Sequence, residues 1–159
     1  MVKVGCAIVG AAIAITIAVS HFSPAAAQPR ELQRRLESAT RIECTFSTFA
    51  MGTWDGAQAQ AAVQPAQLTA TFHDIDVDEG SAEAGSNYGD SFISVRYTTG
   101  YLHFMQMRSS GPLYVTTVFA QESTDGRMKA VHTRHEYTPT MLTGFTSRPE
   151  MYVGDCAVT

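Results

Sequence analysis

Lysine is nearly missing from this chain: Lys3 and Lys129 are the only two. With net charge −4 over 159 residues, that scarcity excludes a protein that holds nucleic acid by neutralising phosphates. Charged residues make up 16% and hydrophobic residues 45%, which excludes a disordered chain kept open by its own charge. Familiar catalytic signatures are also missing. Gly126 lies three before Lys129, so neither S-x-x-K nor a Walker A loop forms there, and His135-Glu136 runs on to Pro139 rather than to a second histidine. G-x-S-x-G does not occur. No catalytic constellation and no cofactor motif is found, and the reading leans away from an enzyme.

Long apolar runs are confined to the start. Lys3 is followed by the uncharged stretch 5–19, then His21-Phe22-Ser23-Pro24, then Ala25-Ala26-Ala27. This is the order of an export signal, with cleavage expected before Gln28. The apolar stretch is shorter than the roughly 20 residues that cross a bilayer, so no membrane span is expected after cleavage. The expected location is periplasmic or secreted, with residues 28–159 forming one domain, read as a monomer.

Cysteine is scarce as well. Cys6 falls in the signal, which leaves Cys44 and Cys156. An even pair in an exported chain is most simply a disulfide, here closing a loop of just over a hundred residues.

What is present is mostly strand signal. Residues 28–41 form a helical lead-in, with Leu32 and Leu36 at i, i+4, Glu31 early and Arg34-Arg35 late. Residues 55–66 lack a period and contain Gly56 and Pro65; they are expected to be a long loop. Runs rich in β-branched and aromatic residues follow at 42–50, 67–77, 91–98, 101–108, 113–121, 127–137 and 150–158, with a weaker one at 81–84. Thr99-Gly100, Ser109–Pro112 and Ser123–Gly126 join consecutive strands tightly, which implies antiparallel neighbours. If Cys44 and Cys156 lie on the first and last strands, the meander closes. The fold expected is an all-β antiparallel barrel of 7–8 strands over 42–158, with a two-sheet sandwich as the alternative. In 67–77 the apolar set changes parity between Leu68/Ala70/Phe72 and Ile75/Val77, which predicts a bulge near His73-Asp74.

Strand 101–108 is apolar on both faces and is expected to be covered on each. Three site readings follow. An interior ligand pocket would be lined by Trp54, Tyr101, Phe104, Met105 and Leu113 and hold a small apolar or amphipathic molecule. His103, Met105 and Met107 share one face and offer soft ligands for Cu(I) or Ag(I). With Trp54, this row resembles the Met-x-Met, His and Trp arrangement of small periplasmic copper-carrying β-barrels, which would imply a metal carrier. Gly52-Thr53-Trp54 resembles the G-x-W of lipocalins, which implies an eight-stranded barrel around an apolar ligand; the bland reading places Trp54 as a cap on one end of the core. The third site is a row of His132, Arg134 and Glu136, either an anion site or a cross-strand ladder. In H-x-x-H the two imidazoles, His132 and His135, point to opposite faces and cannot chelate together. Asp74-Asp76-Asp78 fails the EF-hand pattern, since Glu79 stands where glycine is needed. The function expected is binding of a small ligand; the alternatives are a filled barrel that docks a cell-envelope protein, and metal carriage.

Overall fold

A computed structural model describes residues 28–85, 90–138 and 148–159. The expected signal segment, with Cys6, lies outside the described residues.

Helix α1 spans Gln28–Glu37. Its charges suit the helix dipole, with Glu31 in the first turn and Arg34 and Arg35 in the last. Arg34 also pairs with Glu31, and the Ser38 hydroxyl donates to the Arg34 carbonyl at the C-terminal end. Leu32 and Leu36, one turn apart, are buried.

Eight strands follow: β1 Arg41–Asp55, β2 Gln58–Asp76, β3 Ser81–Gly85, β4 Ser91–Thr98, β5 Tyr101–Met107, β6 Leu113–Glu122, β7 Met128–His135 and β8 Glu150–Val158. Each pairs antiparallel with the next, and β8 pairs antiparallel with β1, so the meander is a closed barrel. Closure rules out the sandwich. Cys44 and Cys156 face each other in the β1–β8 register and are joined, with their Cα atoms 4.0 Å apart.

The turns behave as their residues dictate. Thr99 and Gly100 both take positive φ between the paired residues Thr98 and Tyr101, the geometry that two-residue hairpins need. The parity switch in β2 is a true bulge. The β2–β3 register shifts between His73 and Asp76, and Asp74 sits at φ 50°.

One expectation is overturned. Residues 55–66 are the tip of a long β1–β2 hairpin, with Asp55 paired to Gln58 around Gly56-Ala57. Alanine and glutamine carry little strand preference, but pairing with β1 satisfies their backbone groups and overrides it. The hairpin residues 55–65 are exposed.

The barrel has two unlike ends. At one end α1 seats on the turns: the Tyr97 hydroxyl donates to the Gln33 carbonyl, and Arg35 donates to the Gly126 carbonyl. Beneath the helix the interior is filled by Leu36, Ile42, Val95, Leu102, Val118 and Met128, all fully buried. The opposite end, toward the β1–β2 hairpin, is hollow. Among the described residues, no helix is long and apolar enough to cross a membrane.

Candidate functional site

The hollow end holds a cavity of about 260 Å³. Alternation along each strand builds it in layers. Its floor is Phe72 of β2 and Phe104 of β5, whose rings stack 4.0 Å apart. Leu68, Ala70, Ala84 and Ile93 form apolar walls. Polar groups gather higher up: Gln106, Arg108, Tyr114, Thr116, His132 and Arg134.

Those polar groups hold one another. Arg134 reaches Glu150 at 3.3 Å, its direct cross-strand partner, and Glu136 at 3.6 Å. The Tyr114 hydroxyl donates to Glu136 at 3.0 Å, and the Tyr152 hydroxyl donates to Glu150 at 2.7 Å. Burial and these carboxylates push both phenols above their ordinary pKa, so they stay donors. The Arg134 guanidinium lies over the Tyr114 ring at 5.4 Å. His132 Nδ1 is 2.8 Å from the Thr116 hydroxyl. Burial, reinforced by the Arg134 charge, lowers its pKa to about 4 and keeps the imidazole neutral.

Of the three sequence readings, the row on β7 comes closest to the cavity. His132 and Arg134 line it and His135 is exposed, as alternation requires. Arg134 is engaged by two carboxylates, Glu150 across the strand pair and Glu136 two residues on, and an incoming anion would have to displace them.

The expected apolar liners are corrected. Phe104 lines the cavity, but Trp54, Tyr101, Met105 and Leu113 do not. Tyr101 and Met105 stand on the other face of β5, on the outer wall, and Leu113 shares the outward parity of β6. The outer face of β5 is open at both ends, with Tyr101 43% and Met107 78% exposed, while His103 and Met105 between them are half-buried. Since Ser94 pairs with Met105, Phe92 falls beside Met107 two residues on, and Met107 pairs with Leu113. Phe92 and Met107 form an exposed apolar rim, with half-buried Leu113 beside them.

His103, Met105 and Met107 do share the outer face, and His103 Nδ1 is 2.9 Å from the Thr117 hydroxyl. Trp54 is not with them. It lies on β1, across the ring from β5, where it is 48% exposed and meets Tyr137 edge-on at 5.2 Å. It therefore neither completes a copper arrangement nor caps the core, because Gly52-Thr53-Trp54 sits near the hairpin tip, with Gly52 bonded to the Pro149 carbonyl.

What sequence reasoning missed is the polar upper ring and the walls from β2 to β4. Gln106 and Tyr114 had a signal, their alternation with Phe104 and Thr116, which identifies the inward face once one member is known. Comparison with protein-family models, with curated proteins and with solved structures finds no match.

Proposed function

We propose that this chain is a small-molecule binding protein of an exported compartment, and that it holds an uncharged amphipathic ligand inside the barrel. The observation that carries this reading is the cavity of about 260 Å³, with an apolar Phe72–Phe104 floor and a ring of hydrogen-bonding groups above it. Ligand pockets combine apolar walls with a few placed polar groups and run about 300–1,000 Å³; this one falls just below that range and suits only a small ligand. The ring favours a neutral ligand, since the two cations at this end, Arg108 and Arg134, are balanced by the two carboxylates, Glu136 and Glu150, that hold Arg134. An oxidising compartment is supported by the Cys44–Cys156 disulfide and by the export pattern in residues 1–27.

Titration calorimetry with indole and p-cresol as neutral amphipathic probes tests the reading. Saturable binding is expected, and Ala84→Phe, which fills space that is empty, should abolish it with little change in the unfolding midpoint. No binding of either probe, or equal binding by Ala84→Phe, rejects it.

A second reading, docking of another protein chain, is favoured by the hairpin. Residues 56–72 contain no charged side chain, and Gln58–Pro65 pair only with β1 among the described residues. An uncharged open edge invites a further strand, and Pro65 alone interrupts it. Ala61→Lys with Val63→Lys should convert any self-association seen by sedimentation to monomer.

A further inference from the structure

The β2 bulge does more than bend a strand. At its edge, in the last regular pair before the register shifts, His73 of β2 lies directly opposite Glu83 of β3 on the outer wall, with Asp90, just before β4, beside them. One nitrogen or oxygen from each of His73, Glu83 and Asp90 lies within 4.8 Å of the other two. His73 Nε2 faces the Asp90 carboxylate at 3.4 Å. The other ring nitrogen, Nδ1, is 2.9 Å from the Asp74 carboxylate.

We propose that His73, Glu83 and Asp90 bind a divalent transition-metal ion of the Zn²⁺ type, with Asp74 as the residue that orients the histidine. The ligand set carries the argument. An imidazole selects Zn²⁺, Ni²⁺ or Cu²⁺ over Ca²⁺ and Mg²⁺, while two carboxylates neutralise the ion. Metal-bound histidines commonly give their second nitrogen to a carboxylate, which fixes the tautomer and ring orientation; the His73–Asp74 pair has that form. Asp74 reaches this position because it takes φ 50°, a backbone region that non-glycine residues seldom occupy. Three side chains at these separations need small rotations to reach metal–ligand bonds of about 2.0–2.2 Å, and solvent at this face can fill the remaining position. Arg41, next in the same cross-strand row, holds Glu43 at 2.7 Å.

This site is separate from the barrel cavity and from the His103–Met107 row, and the tests keep the three apart. The disulfide-bonded protein would be titrated with Zn²⁺ by calorimetry, with Ca²⁺ and Mg²⁺ as comparisons and circular dichroism as a folding control for every variant. One saturating equivalent of Zn²⁺ is expected, unaffected by excess Mg²⁺. His73→Ala and Glu83→Gln should each abolish binding, whereas His103→Ala should leave it unchanged. Asp74→Asn keeps the side chain's size and should weaken Zn²⁺ roughly 10–100-fold, the usual cost of losing an orienting carboxylate. Equal Zn²⁺ affinity in folded His73→Ala, or no Zn²⁺ binding by the parent, overturns the proposal. The cluster would then be a hydrogen-bonded polar group of the outer wall.

Discussion

The rings of Phe72 and Phe104 lie 4.0 Å apart and within 8° of parallel, although their strands, β2 and β5, are separated by two others around the barrel. The pair bridges the interior and divides it. Leu102 and Val118, toward the helix, are fully buried in a filled core, while the Phe72–Phe104 pair floors the cavity above. Phe104→Ala should therefore cost about 3–5 kcal/mol, the range for deleting a buried aromatic. It should also deepen the cavity, so that the variant accepts larger neutral probes than the parent. Urea unfolding and calorimetry on the same preparation measure both effects.

Much of this architecture is legible in the residues, and the illegible part has physical causes. Alternation and turn residues locate the strands, and two cysteines near the ends imply closure. The parity break at His73-Asp74 marks the bulge. Residues 55–66 escape because their strand exists through pairing with β1, which no local propensity reports. The wrong liners on 101–108 have another origin. Both faces of that strand are apolar, and period 2 sorts residues into faces without saying which face is inside. Nor does sequence distinguish a filled interior from a hollow one: the large side chains gather at the helix end, and that sorting emerges only when eight registers are combined. The His73–Glu83–Asp90 cluster is hidden similarly, since its members are neighbours only across strands.

The disulfide ties strands that already pair along β1 and β8. Reduction should thus leave the barrel closed but weaker. With the cysteines separated by 112 positions in sequence, constraint of the unfolded chain is worth about 4–5 kcal/mol on the chain-entropy model. A Cys44→Ala/Cys156→Ala variant should lose up to that amount in urea unfolding at neutral pH. It should retain the parent's far-ultraviolet dichroism before the transition. A variant as stable as the parent would show that the backbone ladder alone sets the closure.

His132 makes stability depend on pH. Its folded pKa of about 4 lies below the ordinary 6.5, because burial disfavours the charged ring. Between these values the unfolded chain binds a proton that the folded chain refuses. Stability from this group is complete above about pH 6.5 and is lost as pH falls toward 4. The full difference amounts to about 3 kcal/mol at 1.36 kcal/mol per pKa unit. His132→Gln can still bond the Thr116 hydroxyl but does not titrate. Urea unfolding at pH 7 and pH 5 should show a smaller loss on acidification in the variant than in the parent. Parallel losses would assign the acid sensitivity to other groups.

Gly154 marks the tightest backbone approach of the described glycines. It pairs with Phe46 on β1 and Ala130 on β7, beside the register shift between Phe46 and Thr48. A Cβ placed there would stand 2.0 Å from the Thr45 carbonyl oxygen and 2.7 Å from the Phe46 Cα. Both are backbone atoms of a paired strand, so no side-chain rotation relieves the overlap. Relief requires β1 and β8 to separate next to Cys44–Cys156, where the closing ladder is also covalently tied. Gly154→Ala should therefore cost about 3 kcal/mol or more, at or above the usual overpacking range. Gly52→Ala is the matched control on the same pair of strands. Its added carbon would meet only the Pro149 oxygen and Cβ, at 3.7 and 3.8 Å, which is ordinary contact. That variant should unfold within about 0.5 kcal/mol of the parent, as surface substitutions do. If the two substitutions cost the same, the close approach at the bulge is relaxed in solution, and closure does not depend on a bare backbone at position 154.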